Sequence, residues 1–135
     1  MCVSGVPAPN EKHAYTMILA ALEIQEFMKQ YQEQRISEGR LFFECRLGIH
    51  SGSVIAGVVG ENKFTYDIWG DTVNTASRME SSGEAGKVNI SDITYELLQS
   101  EKLKTKNEKL EFTFRGKVKA KNKGEIGMYF VENKI

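Results

Sequence analysis

Within the first fifty residues the spacing of apolar side chains changes from a helical period to a strand period, which limits the chain to folds that pack helices on a sheet. Ala14, Met17, Ile18, Ala21, Leu22, Met28 and Tyr31 recur at steps of three and four, with Glu23, Glu26, Lys29 and Glu33 mostly opposite. That pattern predicts an amphipathic surface helix, with Asn10 placed to cap it. After a polar turn from Ser37 to Arg40, the residues Phe43, Cys45, Leu47 and Ile49 alternate with Glu44, Arg46, Gly48 and His50. This is the period of a half-buried strand, and His50 falls on its polar side, where it reads as structural.

Phe64 to Trp69 predicts another strand, and Gly70-Asp71 then opens a helix from Thr72 to about Ser81 with Asp71 as its N-cap. Val73, Ala76 and Met79 would form its apolar stripe, while Asn74 and Arg78, four apart, stack on the opposite face. Between the two strands, Gly52 to Gly60 suits close backbone packing, and it lacks the Gly-Lys-Ser/Thr ending of a phosphate-binding loop. Lys87 to Ile90 reads as a short strand, Asp92 to Gln99 as a short helix capped by Ser91, and Ser100 to Lys109 as a charged loop. A closing hairpin runs from Leu110-x-Phe112-x-Phe114 through a lysine-rich bend to Ile126–Val131. Cys2 to Gly5 looks like the tail of a strand that enters a turn at Gly5–Pro9. With no regular strand-helix alternation, the expectation is an α+β domain with a largely antiparallel sheet.

Composition narrows the function classes. The 135 residues are 41% apolar and carry 18 basic and 18 acidic side chains, enough for one globular core and against disorder. A zero formal charge gives no basic excess for a nucleic acid or an anionic membrane. Cys2 and Cys45 belong to no metal-spaced cluster and suit a reducing, cytoplasmic setting. The longest uncharged run, Leu47 to Gly60, holds four glycines and is too short to span a membrane.

The stretch Tyr66-Asp67-Ile68-Trp69-Gly70-Asp71-Thr72-Val73-Asn74-Thr75-Ala76-Ser77-Arg78-Met79-Glu80 closely resembles the catalytic domain of class III nucleotidyl cyclases, the adenylate and guanylate cyclases. Leu47 to Gly52 with Val54 to Gly60 resembles the family's central strand pair. Met1 to Pro7 resembles the strand end before its third helix, and Phe114-Arg115-Gly116 with Lys121-Asn122-Lys123-Gly124 its closing hairpin. The resemblance implies a ferredoxin-like cyclase fold and conversion of a nucleoside triphosphate to a 3′,5′-cyclic nucleotide and pyrophosphate. It also implies two divalent cations (Mg²⁺ or Mn²⁺) and an active site shared by the two subunits of a head-to-tail homodimer.

By resemblance, four residues take up the substrate. Asp67 matches the base-contacting position, where a carboxylate accepts from the exocyclic amine of adenine and so favours ATP. Read without the family, Asp67 is a strand-end carboxylate capping nearby backbone. Asn74 matches the residue that positions the ribose, and Arg78 the arginine that stabilises the α-phosphoryl group. Lys121 matches the lysine that holds the β and γ phosphates, although Lys117, Lys119, Lys121 and Lys123 also form the comb by which an edge strand avoids pairing. Trp69 and Phe64 read as core or dimer-interface residues.

The family's two metal-binding aspartates belong to motifs upstream of the matched region, Phe-x-Asp-Ile-x-Gly-Phe and Lys-x-x-Gly-Asp. The only aspartates here are Asp67, Asp71 and Asp92, and neither motif occurs. Residues 1–135 are therefore expected to be the C-terminal portion of one adenylate cyclase catalytic domain, truncated at its N-terminus and inactive alone. The alternatives are a guanylate cyclase and a non-catalytic, cyclase-like nucleotide-binding or dimerisation module; an unrelated ferredoxin-like binding protein is the remote one.

Overall fold

A computed structural model describes residues 1–100, 109–120 and 123–135. Its elements are α1 (His13–Ser37), β1 (Leu47–Ile49), β2 (Ile55–Val59), β3 (Thr65–Trp69), α2 (Asp71–Ser81), β4 (Val88–Ser91), α3 (Asp92–Leu98), β5 (Leu110–Ala120) and β6 (Gly124–Asn133). Four strands make one sheet in the order β1-β4-β6-β5, and β2 and β3 form a separate two-stranded hairpin. Only β1 and β4 run parallel; the other pairs are antiparallel. The α+β, largely antiparallel expectation holds.

Each face of the sheet carries its own helix. Ala14, Ile18 and Ala21 of α1 pack with Ile49, Val88, Ile90 and Val131, joined by Leu98 of α3. The pleat turns Asn89 to the other face, where Met79 of α2 meets Ile126 and Met128, flanked by Val118 and Ala120. Packing of α2 demands a missing side chain, because a Cβ on Gly48 would come within 2.0 Å of the Glu80 nitrogen and one on Gly52 within 2.6 Å of the Thr72 hydroxyl. Gly48 therefore lets the helix backbone touch β1 directly, and Gly52 leaves room for the Thr72 side chain.

The last turn of α2 is held by polar contacts that the sequence does not announce. Asn89 is fully buried, and its amide donates to the Met79 carbonyl at 2.9 Å while its oxygen accepts from Arg115 Nη1 at 3.0 Å. The same Nη1 donates to the Ser82 carbonyl at 2.8 Å, and the guanidinium carbon lies 3.9 Å from the centre of the Phe130 ring. Arg115 occupies a register shift of β5 between Phe114 and Gly116, and such a bulge re-aims the side chain that it carries.

Several boundaries differ from the sequence expectation. The ladder of β1 begins at Leu47 rather than Phe43; before it, the Cys45 carbonyl bonds to the Gln25 amide and to Gly86 N–H, and Phe43 stays exposed. Asn10 does not cap α1, which starts at His13; its side chain instead accepts the Lys12 N–H in a local turn. Gly70, not Asp71, is the N-cap of α2, and Asp71 is its first helical residue. The buried positions of α2 are Thr72, Thr75 and Met79, with Val73 and Ala76 only half-buried, because the Thr72 hydroxyl is drawn inward to the Ser53 carbonyl at 2.6 Å. Gly52–Gly60 packs closely at Gly52 but then forms β2, and Phe64 and Trp69 are exposed on the hairpin rather than part of the core. Ser91 does cap α3, accepting the Thr94 N–H. The predicted charged loop lies mostly outside the described residues.

Asn89→Ala should lower stability by about 2 kcal/mol, since it leaves a buried carbonyl and a guanidinium without their partner. Urea denaturation of Asn89→Ala, Arg115→Ala and the double variant should show a coupling of roughly 1 kcal/mol between the two positions.

Candidate active site

The strand-to-helix passage from β3 through Gly70 into α2 carries three of the four residues singled out by sequence. Gly70 has φ of 124° and ψ of 178°, a backbone state that suits glycine and lets the strand turn at once into the helix. Asp67 is exposed on β3, opposite Gly57. Its Oδ1 accepts the Ile68 N–H at 2.8 Å, the local backbone cap that its position alone suggests, and the other carboxylate oxygen has no partner among the described residues.

Asn74 and Arg78 lie one turn apart on the exposed face of α2. Arg78 Nε donates to the Lys119 carbonyl of β5 at 3.1 Å, which ties the guanidinium to the closing hairpin rather than to an acid. Its two terminal nitrogens have no partner among the described residues, so the planar fork remains available for an anion. No hydrogen bond or ion pair joins Asp67, Asn74 and Arg78 to one another among the described residues, and all three face solvent. Lys121 lies outside the described residues. Lys117 and Lys119 are exposed on β5 at the sheet edge, while Val118 and Ala120, which alternate with them, pack against the Met79 cluster, the alternation expected of an edge strand.

The carboxylates of the described residues do not fit a pair of divalent cations. Asp92 uses Oδ1 for the Ile93 N–H and Oδ2 for the Gly127 N–H, Asp67 Oδ1 accepts the Ile68 N–H, and Asp71 is the exposed first residue of α2. Glu80, Glu84 and Glu132 pair with Arg46, Arg115 and Lys87. No cluster of three histidine, cysteine or acidic side chains suits a metal ion among the described residues. No catalytic step through a metal can therefore be drawn from the described side chains.

On the other side of α2 lies a cleft of about 570 Å³ bounded by residues 1–6, the start of α1, and Gly48 to Val54. Val73 and Ala76 line it, whereas Asp67, Asn74 and Arg78 do not. His50 also lines it and is tied into a hydroxyl chain that the sequence did not suggest. Its Nδ1 lies 2.7 Å from the Ser91 hydroxyl, which meets Thr94 at 3.1 Å, and Thr94 meets Ser51 at 3.1 Å. The other ring nitrogen, Nε2, is buried without a partner among the described residues. Burial pushes the His50 pKa below its ordinary 6.5, Lys123 adds to that push and Asp92 opposes it.

With this geometry in view, comparison with known proteins is decisive about the family. Residues 1–133 match the Adenylate and Guanylate cyclase catalytic domain, and the chain belongs to that family of lyases. It is 40% identical over 131 residues to guanylate cyclase soluble subunit beta-2 of Rattus norvegicus, covering 97% of this chain and 18% of the relative. It is 35% identical over the same length to an adenylate cyclase of Mycobacterium tuberculosis, of which it covers 27%. Among solved structures, the guanylate cyclase domain of RhGC from Catenaria anguillulae in complex with GTP superposes with a TM-score of 0.79 at 32% identity, covering 98% of this chain and 66% of that one. The adenylyl cyclase CyaB from P. aeruginosa gives 0.81 at 26% identity, covering 96% and 65%. The fold is thus that of class III cyclase catalytic domains, and the chain spans between 10% and 27% of the length of the curated relatives it matches. No helix among the described residues is long and apolar enough to cross a membrane.

A lowered histidine pKa means that the folded state resists protonation that the unfolded chain accepts, so stability rises with pH in that window. Unfolding free energy should therefore fall as pH drops below about 6.5 toward 5. His50→Gln should flatten that dependence, as chemical denaturation at pH 8 and pH 5 would record.

Proposed function

We propose that this chain is the substrate-binding, C-terminal portion of an adenylate cyclase catalytic domain, converting ATP to 3′,5′-cyclic AMP and pyrophosphate in the cytoplasm. The observation that carries the reading is Asp67, a carboxylate on the strand that leads directly into the Asn74–Arg78 face of α2. In that role the carboxylate accepts from the adenine amine, Asn74 orients the ribose, and the Arg78 fork meets charge that develops on the α-phosphoryl group. Lys121 would hold the outer phosphates. Divalent cations, when bound by ligands outside this chain, would acidify the attacking 3′-hydroxyl and neutralise the triphosphate.

The openness of this face supports a site completed by a second subunit. The β2–β3 hairpin that carries Asp67 exposes Val58, Phe64 and Tyr66 and, on its opposite face, Ile55, each more than half accessible, and exposed apolar surface of that kind suits a protein partner. A solved relative is described as a non-canonical dimeric guanylyl cyclase domain of the RhoGC fusion protein from Blastocladiella emersonii. A head-to-tail homodimer is the arrangement we assign here.

A guanylate cyclase is the second reading, favoured by the 40% identity to a guanylate cyclase subunit. The two readings differ at one hydrogen bond, because guanine offers a carbonyl where adenine offers an amine. In the longer protein that carries this chain with its upstream residues, cyclic AMP should form from ATP in preference to cyclic GMP from GTP. Asp67→Asn, which can donate to a carbonyl, should narrow that preference, and Arg78→Ala should cut turnover by roughly 10²–10³. A preference for GTP in the unsubstituted protein would select the guanylate reading.

A further inference from the structure

Partway along its length β5 exchanges faces. Leu110 and Phe112 pack with the cluster under α1, whereas Val118 and Ala120 pack with Met79 of α2. In a regular strand, residues an even number apart share one face, so one extra residue must stand between the two pairs. That residue is Arg115, at the register shift between Phe114 and Gly116, and Gly116 takes a φ of 92° that suits glycine. The bulge turns Val118 and Ala120 toward α2 and aims Arg115 at the end of that helix.

Three hydrogen bonds and a stretch of strand then close a ring. Arg115 Nη1 donates to the Ser82 carbonyl at 2.8 Å, and the Ser82 N–H donates to the Arg78 carbonyl at 3.0 Å. Arg78 Nε donates to the Lys119 carbonyl at 3.1 Å, and Lys119 stands four residues from Arg115 on β5. Arg115 is held on every side. Its Nη1 also donates to the buried Asn89 oxygen, its guanidinium carbon lies 3.9 Å from the Phe130 ring centre, and its Nη2 lies 3.8 Å from Glu84. A lysine ammonium has no planar fork and could not serve all of these partners at once. Arg78, by contrast, is exposed, and its Nε bond to Lys119 is its one side-chain hydrogen bond among the described residues. Without that bond the long side chain would spread over many rotamers.

We propose that Arg115 is a positioning residue for Arg78. By holding the end of α2 to the bulge of β5, it sets the separation across which Arg78 Nε reaches the Lys119 carbonyl, and so gives the Arg78 fork one direction. The Arg115 side chain is 18% exposed and spent on protein groups, so it acts through Arg78 rather than on a nucleotide. Its bearing on turnover rests on the reading of Arg78 as the group that meets the α-phosphoryl charge; its effect on the Arg78 side chain does not.

Two measurements test the pair. In the nitrogen-15 spectrum of the 135-residue chain, the Arg78 Nε–H should exchange with water roughly tenfold or more slowly than a free arginine side chain. Arg115→Lys, which keeps the charge and loses the fork, should remove that protection. Arg46→Lys should leave it in place, since Arg46 grips α2 through the Glu80 carboxylate, outside the ring. If Arg115→Lys does not fold, Arg115→Met, whose stem still covers Phe130, is read in its place. In the longer protein of the proposed reading, Arg115→Lys should lower kcat roughly ten- to a hundredfold and leave KM within about twofold, the mark of a group felt in the transition state. Added to Arg78→Ala, it should lower kcat no further, because the side chain that it positions is gone.

Free exchange of the Arg78 Nε–H in the unsubstituted chain would overturn the proposal, as would protection that survives in Arg115→Lys. Independent, multiplying losses in the double variant would also overturn it, since a merely structural role gives that result. If Arg115→Lys frees the Arg78 side chain while Arg78→Ala leaves turnover intact, the positioning stands and the catalytic reading of Arg78 fails.

Discussion

Close contact between α2 and the β1–β4 region is the constraint on which the rest depends. Gly48 lets the helix backbone reach the strand, Asn89 takes up the Met79 carbonyl, and Arg115 reaches from the bulge of β5 to the Ser82 carbonyl at the helix end. Arg78 adds a fourth tie through the Lys119 carbonyl. Because the helix is fixed at its C-terminal turn by groups with little freedom, its outer face presents Asn74 and Arg78 in a set relation to the closing hairpin. Polar side chains thus do at this contact what apolar packing does under α1, and a buried amide bonded through both its nitrogen and its oxygen is well suited to define one arrangement.

A division of labour follows from where the charged groups stand. Cationic and amide groups suited to a nucleotide lie on the outer face of α2 and the edge of β5, whereas Asp92, Glu80, Glu84 and Glu132 are engaged by backbone N–H groups or by arginine and lysine partners. A phosphate chain could find hydrogen-bond donors here, but among the described residues no cluster of three histidine, cysteine or acidic side chains offers a site to a divalent cation. The same split appears in the packing. The sheet is well covered where Ile18, Ile90 and Val131 meet, and open along β1 and the cleft.

Much of the fold was legible because period and capping carry local information. The α1 stripe, the β3-to-α2 passage and the Ser91 cap each come from residues within a few positions of one another. What escaped was tertiary. Nothing near Arg115 in sequence tells that its bulge aims it at Ser82, 33 residues away. Asn89 reads as an ordinary polar residue in a short strand, and Thr72 and Thr75 displace Val73 and Ala76 from the buried face because a hydroxyl finds a carbonyl across the cleft. Among the site residues, the outward face shared by Asn74 and Arg78 followed from their spacing. The link from Arg78 to Lys119 needed the fold, and the assignment of substrate roles needed the family, because an exposed Asp67 bonded to its own backbone has no chemistry that local geometry can name.

The central proposal is that Asp67, Asn74 and Arg78 bind the nucleotide and that the ligands for the metal ions come from outside this chain. Its most direct test is cyclic nucleotide formation by the 135-residue chain alone, supplied with Mn²⁺ and either ATP or GTP, with Arg78→Ala as the control. The account predicts no product from either nucleotide. Product from ATP that disappears in the Arg78→Ala control would contradict it, since ligands for the metal ions would then have to come from within these residues.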